Sequence, residues 1–282
     1  MKIDVHTHIF PPWIALERHR FFDTDPSFKL LYGSPKARLA DAGSLLEAMD
    51  RNGVERSVVF GFPWLDDELA SRHNDYVLEA AAKNAPRLIP LACVNPLAPG
   101  SVKEAERCFD AGIRGLGELA VYGPCEPGEV LERYRPLVDG CRSRGGFLLV
   151  HANEPVGHSY PGKAALGLDF YYALARLAEG IPLILAHWGG GLCFYELLKK
   201  EAREVLANVY YDTAASPFLY RPAVYRHATD ILAAGKILFG SDFPLLPPGR
   251  YFEEMKAAGL TVEEFQAISG SNAAALLSGL GC

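Results

Sequence analysis

Several marks of common protein classes are missing from this chain of 282 residues. Its six cysteines include no Cys-X-X-Cys pair and no closely spaced group, so we expect reduced thiols and no cysteine-bound zinc. No apolar stretch reaches the roughly 18 residues that a membrane-spanning helix requires. No signal-peptide pattern precedes the first predicted strand, so we expect a cytoplasmic protein.

Basic residues are also too few and too scattered to form a stripe. The 28 Lys and Arg residues are outnumbered by 34 Asp and Glu residues, which gives a net charge of −6. This balance argues against a nucleic-acid or membrane partner, because both present negatively charged surfaces. We therefore expect a small-molecule substrate as the partner, with a homodimer as the alternative to a single chain.

What the sequence does contain is a repeated alternation of short apolar segments and helical patterns. Eight segments are typical of buried strands: residues 2–6, 56–60, 88–94, 114–119, 147–151, 182–187, 209–212 and 237–240. Eight strand–helix units predict a (βα)8 barrel, an α/β fold in which residues 1–282 form a single domain with two C-terminal helices. An open doubly wound sheet is the alternative, but no Gly-X-Gly-X-X-Gly loop follows the first strand. Residues 9–42 are expected to form a long irregular loop.

Histidines and carboxylates mark the ends of these strands. His6 and His8 are two residues apart on the first strand and therefore share one face. The other candidates are Glu118 at the end of the fourth strand, His151 at the fifth, His187 at the sixth and Asp242 at the eighth. In a (βα)8 barrel these ends meet at the face that carries the active site. Imidazole and carboxylate groups suit zinc and other first-row ions, so the pattern predicts a metal centre.

Residues near these strand ends are candidates for supporting roles. Segment 153–163 is polar and punctuated by glycine, as substrate-binding loops often are. The candidate substrate contacts are Asn153, His158, Tyr160, Lys163 and Trp188. The alternatives are a solvated turn for the loop and ordinary packing for Trp188. Asp4 is a candidate partner for a metal-binding imidazole, or else a group that satisfies hydrogen bonds at the barrel floor.

Four segments of the chain, in this order, resemble one protein family. They are DVHTHIF, LLVHANEPVGHSYPGK, LAHWGGG and LFGSDFP. The chain is similar throughout to the amidohydrolase superfamily, and more narrowly to the amidohydrolase-related branch that includes aminocarboxymuconate-semialdehyde decarboxylase. The resemblance implies that His6, His8, His151 and Asp242 bind the metal. It also implies that His187 binds a second metal or acts near the substrate.

The fourth strand departs from the pattern of many binuclear members of this family. Those members bridge two metals with a carboxylated lysine, whereas this chain has Glu118, which is similar to the glutamate bridge of TatD-like deoxyribonucleases. One model places a single zinc on the four implied ligands. The other adds a second metal held by Glu118 and His187. We expect one zinc, with two ions, or Mn²⁺, Fe²⁺ or Co²⁺, as the alternatives.

The expected function is a metal-dependent hydrolase that cleaves an amide, cyclic amide or lactone of a small polar substrate with a zinc-activated water. Asp242 would act as the general base and then as the acid, and His187 would polarise the substrate carbonyl. The alternative is a non-oxidative decarboxylase or hydratase of an unsaturated or aromatic carboxylic acid, bound by Arg221 or Arg250. A barrel that only binds metal is disfavoured, because a structural zinc needs no acid–base partner.

Overall fold

The structure of the protein is a computed structural model that describes residues 1–233 and 235–282. Within these residues, eight parallel strands form the centre of the fold. The strands are β1 Ile3–His8, β2 Arg56–Phe60, β3 Leu88–Pro90, β4 Gly115–Leu119, β5 Phe147–Val150, β6 Leu183–Leu185, β7 Val209–Asp212 and β8 Ile237–Leu238. The third, fifth, sixth and eighth strands end one to four residues earlier than the sequence predicts.

The strands close into a ring. They pair in sequence order into two ladders, β1–β2–β3 and β4 to β8. Two single parallel pairings join the ladders, Thr7 with Phe243 and Ala92 with Leu116. At the first of these seams the Val5 amide also donates a hydrogen bond to the Phe239 carbonyl at 2.8 Å. The predicted (βα)8 barrel is therefore confirmed.

The barrel wall is apolar on both faces, because successive residues of a strand point to opposite sides of the sheet. Along β5, Leu148 and Val150 pack in the cluster that contains the helix residues. Phe147 and Leu149 instead pack with residues of other strands. All six residues of β1 are buried. Its polar side chains must therefore find their partners inside the protein.

Helices alternate with the strands and cover the barrel. They are α1 Pro12–Leu16, α2 Pro26–Tyr32, α3 Ala42–Asn52, α4 Asp67–Lys83, α5 Ser101–Asp110, α6 Pro127–Arg144, α7 Leu168–Leu177, α8 Ala186–Gly189, α9 Ala202–Val205, α10 Ser216–Leu219, α11 Ala223–Ile231, α12 Pro248–Ala257, α13 Val262–Gln266 and α14 Asn272–Gly279. Three irregular turns complete the set: the 3-10 segments Arg18–Phe21 and Leu192–Leu197, and the π-type segment Ala267–Ser271. Among the described residues, none of the helices combines the length and hydropathy of a membrane span.

The segment after β1 is more ordered than the sequence predicts. Residues 9–42 were expected to be irregular, but they contain α1, a 3-10 turn and α2. Asp25 begins α2, since its Oδ1 accepts a hydrogen bond from the Phe28 amide at 2.9 Å, and Pro26 occupies the first helical position. Phe28 then packs against Phe62 and Trp64 in a buried aromatic cluster. This cluster fixes α2 beside the carboxyl-terminal end of the barrel.

Candidate metal centre

Six polar side chains converge at the carboxyl-terminal end of the barrel. They are His6 and His8 of β1, Glu118 of β4, and the residues that follow β5, β6 and β8, namely His151, His187 and Asp242. Their ligand atoms form three overlapping groups, each within 4.8 Å: His6, His8 and Glu118; His6, His187 and Asp242; and Glu118, His151 and His187. The structure thus brings together every residue that the sequence analysis assigned to the metal or to catalysis.

Glu118 lies in the middle of this group. Its Oε1 is 3.0 Å from His151 Nδ1, 3.6 Å from His187 Nε2 and 3.7 Å from His6 Nε2. Its Oε2 is 3.7 Å from His8 Nε2. One carboxylate therefore faces all four imidazoles, which is the arrangement expected of a central ligand.

Asp242 supplies a second carboxylate. Its Oδ1 lies 3.3 Å from His8 Nε2 and 3.6 Å from His6 Nε2. Burial raises the pKa of Asp242, but hydrogen bonding to His8 and the charges of nearby histidines outweigh it and lower the pKa to about 2. Burial also opposes ionisation of Glu118, yet His6 and other imidazoles hold its pKa well below the usual range. Both groups stay ionised, so the site holds buried negative charge that requires compensation.

The two histidines of β1 are oriented by acceptors outside the cluster. His6 Nδ1 lies 2.8 Å from Asp212 Oδ2, and His8 Nδ1 lies 3.1 Å from the Gly61 carbonyl oxygen. Because a carboxylate or carbonyl oxygen only accepts, each Nδ1 is the nitrogen that donates. In the neutral ring, Nε2 then offers a lone pair to the centre of the cluster.

The same logic applies to His187. Its Nδ1 donates to the Ala214 carbonyl at 3.0 Å, which leaves Nε2 facing Glu118. His151 lies between two acceptors, since Nε2 is 2.8 Å from the Gly162 carbonyl oxygen and Nδ1 is 3.0 Å from Glu118 Oε1. A cation beside Glu118 would favour the tautomer in which Nε2 donates, and Nδ1 would then join the lone pairs of the other three imidazoles.

This arrangement fits a divalent cation. His6 Nε2 is fully buried and has no hydrogen-bond partner. Burial lowers the pKa of His6, but the charges of Asp212, Glu118 and Asp242 outweigh it and raise the pKa to about 10. The site therefore attracts positive charge, and a bound cation would meet that demand in place of a proton. Mixed imidazole and carboxylate donors suit zinc, manganese, iron or cobalt.

Backbone strain accompanies the turns after β6 and β8. His187, Trp188 and Asp242 have φ angles of 55°, 60° and 56°, in the left-handed region that side chains disfavour. Such residues cost about 1–3 kcal/mol each and persist only where the surrounding structure holds them. Gly190 continues the first turn, and a Cβ there would lie 2.2 Å from the Asn153 carbonyl oxygen. Close packing between two loops thus holds His187 in position.

A cavity of about 750 Å³ borders the metal centre. Such a volume is typical of sites for small organic ligands. The cavity lining includes five of the six clustered residues, namely His8, Glu118, His151, His187 and Asp242. Its walls are largely apolar and aromatic, with Leu31, Phe62 and Leu246 among them. Lys36 and Arg38 are exposed lining residues and place positive charge at the mouth.

The loop after β5 contributes some of the predicted substrate contacts. His158 and Tyr160 line the cavity. Asn153 does not, because its buried amide accepts a hydrogen bond from the Ala164 backbone at 2.7 Å and holds the two ends of the loop together. Lys163 is also outside the lining, since its ammonium donates to the Val156 carbonyl at 2.8 Å. These two residues therefore shape the loop rather than face a ligand.

Trp188 does not form the predicted wall of the site. Its side chain is fully buried, and Nε1 donates to Ser216 Oγ at 2.6 Å. Its left-handed backbone turns the indole away from the cavity lining and into the helical layer, where it packs on Tyr225. Arg221 and Arg250, the suggested partners of a substrate carboxylate, are likewise outside the lining.

Sequence reasoning missed residues that the structure brings to the site. Asp4 was the candidate partner for an imidazole, but its Oδ1 accepts from the backbone amides of His6 and Ser241, at 3.1 and 2.9 Å. Asp212 at the end of β7 takes that role instead. The other missed residues are Tyr32, Lys36 and Arg38 on or after α2, and Tyr122 after β4. The Asp–Pro start of α2 was the signal that could have revealed the first three.

Comparison with known proteins agrees with this architecture. A family model described as amidohydrolase matches residues 3–279. The chain is 20% identical to 2-amino-3-carboxymuconate-6-semialdehyde decarboxylase of Dictyostelium discoideum, over 94% of this chain and 88% of the relative. It is 27% identical to 6-methylsalicylic acid decarboxylase of Penicillium expansum, over 40% of this chain and 43% of the relative.

Solved structures share the fold at lower identity. The crystal structure of 5-carboxyvanillate decarboxylase from Sphingomonas paucimobilis matches with a TM-score of 0.75 and 19% identity, over 98% of both chains. A dihydroxybenzoic acid decarboxylase from Polaromonas, with bound manganese and 2-nitroresorcinol, matches with a TM-score of 0.67 and 17% identity, over 98% of this chain and 96% of that chain. At this identity the likeness bears on the fold.

These comparisons correct the expected activity. The sequence analysis predicted hydrolysis of an amide or lactone, and that prediction is wrong, since the four named relatives are all decarboxylases. The motifs that carry the resemblance contain the candidate metal ligands, and proteins of one fold can differ in the reaction that they catalyse. The family assignment itself is confirmed: with nearly all of its length matched, this chain belongs to the amidohydrolase family.

Proposed function

We propose that this protein is a metal-dependent, non-oxidative decarboxylase of aromatic or unsaturated carboxylic acids. The observation that carries the proposal is the cavity, which combines a cation-binding floor, apolar and aromatic walls and a positively charged mouth. The names of the relatives support it independently, since they act on carboxylated aromatic or muconate-like compounds.

The lining of the cavity suits a flat organic anion. Phe62, Leu31 and Leu246 offer apolar surface to a ring or conjugated chain. Lys36 and Arg38 at the mouth attract an anion into the cavity, because their charges are exposed and lie on the path of entry. An uncharged amide would gain nothing from these two cations, whereas a carboxylate would.

The reaction exchanges a carboxyl group for a proton. The bond between the carboxyl carbon and its neighbour breaks, CO2 leaves, and the neighbouring carbon accepts a proton. Asp242 Oδ1 and His187 Nε2 are the proton-handling atoms that border the cavity. The bond from His187 Nδ1 to the Ala214 carbonyl keeps Nε2 free to hold or release a proton. His187 Nε2 would donate the proton that the carbon takes up, and the ionised Asp242 would accept a proton from water and return it to the site.

One divalent cation at this site, held by the two histidines of β1, His151, Asp242 and the central Glu118, is part of the proposal. It would supply the positive charge that binds and polarises a substrate oxygen. The donor set accepts zinc and manganese alike, and manganese is the ion bound in the Polaromonas decarboxylase. His187 then remains available for the substrate.

The test is CO2 release from a panel of hydroxybenzoates and unsaturated diacids by protein loaded with Mn²⁺ or Zn²⁺. The Asp242→Asn variant should lose about 10²- to 10⁴-fold in kcat while keeping its fold, because its proton-handling oxygen is gone. Glu196→Gln, which changes a buried carboxylate outside the cavity, is the matched control and should retain activity. Absence of CO2 release from the whole panel with either metal would refute the proposal.

A further inference from the structure

We propose that Tyr32 and Tyr122 are specificity-determining residues, a pair of hydroxyl groups that binds an oxygen substituent on the substrate ring. This inference rests on the proposed function, because it assumes that the cavity takes an aromatic acid. It predicts that acids with a hydroxyl group beside the carboxyl group bind better than those without one. The site itself is already described; what is new is the assignment of these two side chains to recognition.

Both tyrosines are held rigidly at the cavity. Tyr32 ends α2, and its ring contacts Phe28, Phe10 and Phe62, with centroids 5.0, 5.2 and 5.9 Å away. Tyr122 follows β4, and its ring centroid lies 5.4 Å from that of His151. Aromatic packing thus leaves neither ring free to turn away, and both residues line the cavity beside the metal centre.

The hydroxyl groups of this pair have no hydrogen-bond partner among the described residues. Neither makes a hydrogen bond within the part of the chain that the structure describes, and only burial and nearby charges act on them. Tyr160, a third tyrosine of the same cavity, differs in this respect, since its hydroxyl donates to Glu154 Oε2 at 3.0 Å. Two polar groups in the lining of a largely apolar cavity are therefore left for a ligand to satisfy.

The chemistry of these hydroxyls makes them donors. Burial, followed by the charges of Asp242 and Glu118, raises the pKa of Tyr32 far above its usual range. Burial and the charge of Glu118 do the same for Tyr122, and the charge of Tyr32 adds to the effect. Both groups therefore keep their protons at neutral pH, and both line the same cavity. A phenolic or developing keto oxygen of the substrate is the acceptor that such a pair would bind.

The carboxyl group and the ring oxygen of the substrate would then be bound by different parts of the site. The reacting carbon must lie near Asp242 and His187, which handle the proton. Tyr32 and Tyr122 line the same cavity as these two residues, and the ring of Tyr122 lies beside that of His151. An oxygen on the atom next to the reacting carbon is therefore within reach of the pair. A ring without that oxygen would leave both hydroxyls unpaired and bind more weakly.

The experiment compares Tyr32→Phe, Tyr122→Phe and the control Tyr134→Phe by titration calorimetry of Mn²⁺-loaded protein. Tyr134 is the matched control because its buried hydroxyl makes no hydrogen bond within the described residues and its side chain is outside the cavity lining. The ligands are 2,6-dihydroxybenzoate and benzoate. We expect each of the first two variants to weaken binding of the dihydroxy acid by about tenfold, the usual effect of one lost hydrogen bond of this kind. Benzoate binding should stay within about twofold, and Tyr134→Phe should change the affinity for neither ligand.

The outcomes separate the two proposals. If Tyr32→Phe and Tyr122→Phe bind both ligands like the wild type, or lose affinity for both equally, the assignment of the tyrosines is wrong. The same holds if the wild type does not distinguish the two acids. If the discrimination depends on the tyrosines but no acid releases CO2, the recognition stands and decarboxylation fails. Thermal melts of each variant check that the phenylalanine substitutions leave the fold intact.

Discussion

At the scale of single residues, the site is defined by where each imidazole keeps its proton. His6, His8 and His187 donate through Nδ1, whereas His151 would donate through Nε2 beside a bound cation. The acceptors are three backbone carbonyls and one carboxylate, that of Asp212. Asp212 also accepts from the amides of His187 and Ala214, both at 2.9 Å. This one buried carboxylate therefore orients two of the histidines, one through its ring and one through its backbone.

Replacing Asp212 with Asn should weaken metal binding by about 10- to 100-fold, the usual effect of removing a carboxylate that orients a metal-binding histidine. The amide can present its NH2 group to His6, which favours the wrong tautomer and turns the Nε2 proton toward the cluster. Competition with a chelator measures the affinity. Asp4→Asn is the matched control, since Asp4 accepts from the backbone amides of His6 and Ser241 and is not hydrogen-bonded to an imidazole nitrogen of the described residues. Equal losses in both variants would contradict the specific role of Asp212.

The candidate site residues could be predicted from the sequence, because each one lies within a few residues of the end of a short buried strand and period-two alternation places His6 and His8 on one face. The partner of His6 could not. Asp212 is 206 positions away, and only the closure of the barrel brings the two side chains together. Nothing in the local pattern of β7 distinguishes this aspartate from any other polar residue at a strand end.

At the scale of elements, the loop after β5 is a folded unit that reaches back to the metal centre. Asn153 joins its two ends through Ala164, and Glu154 accepts hydrogen bonds from Tyr160 and Lys163. The carbonyl of Gly162 then holds the ring of His151. Loop conformation and ligand orientation are thus coupled through a single hydrogen bond.

Gly162→Ala should lower metal affinity by about tenfold or more, as loss of an orienting contact does. Gly162 has a φ of 93°, which a residue with a side chain disfavours, so the loop must shift and its carbonyl must leave His151. Gly157→Ala is the control, because Gly157 has a φ of 96° in the same loop and has no contact with a ligand residue. The absorption spectrum of the Co²⁺-loaded protein reports the ligand geometry. An unchanged spectrum and affinity in Gly162→Ala would contradict the coupling.

Element prediction succeeded for the barrel and failed for the segment after β1. Regular strand–helix units repeat, so their pattern is visible even when one boundary is misplaced. Residues 9–42 contain short helices that are stabilised by contacts with β2 and its following residues, such as Phe28 on Phe62 and Trp64. Short helices depend on tertiary packing more than on local propensity, so the sequence alone favours a loop there.

At the scale of the whole molecule, the buried charges of the metal centre link stability to cation and pH. Without a metal, protonated histidines must balance Glu118 and Asp242. Burial lowers the pKa of His187, but the hydrogen bond to Glu118 and the charge of Asp242 raise it to about 9, and the pKa of His6 is about 10. Both pKa values exceed the ordinary value of 6.5. The contribution of the two protonated histidines to the stability of the folded state is therefore complete below pH 6.5 and is lost as the pH rises through 9 to 10.

The metal-free protein should therefore lose stability as the pH rises from 6.5 to 10, because both histidines release their protons in this range. The metal-loaded protein should lose much less, because the cation balances the carboxylates without a proton. Urea unfolding at several pH values, with and without Mn²⁺, measures how the free energy of unfolding changes with pH in each form. Equal pH dependence of the two forms would show that these histidines do not balance the charges of the carboxylates. At neutral pH, metal at about 1,000 times its Kd should add roughly 4 kcal/mol.

The barrel closes where β1 meets the end of β8. There the Asp242 amide donates to the His6 carbonyl at 3.0 Å, and the side chains of both residues reach the same cluster. A cation bound by both side chains would link the first strand to the last. This link would close a loop that includes nearly the whole chain, which is the longest loop that the barrel has to close. The ring cannot open at this point without releasing the ion. The rate at which the loaded protein unfolds would then be set by the rate at which the metal dissociates.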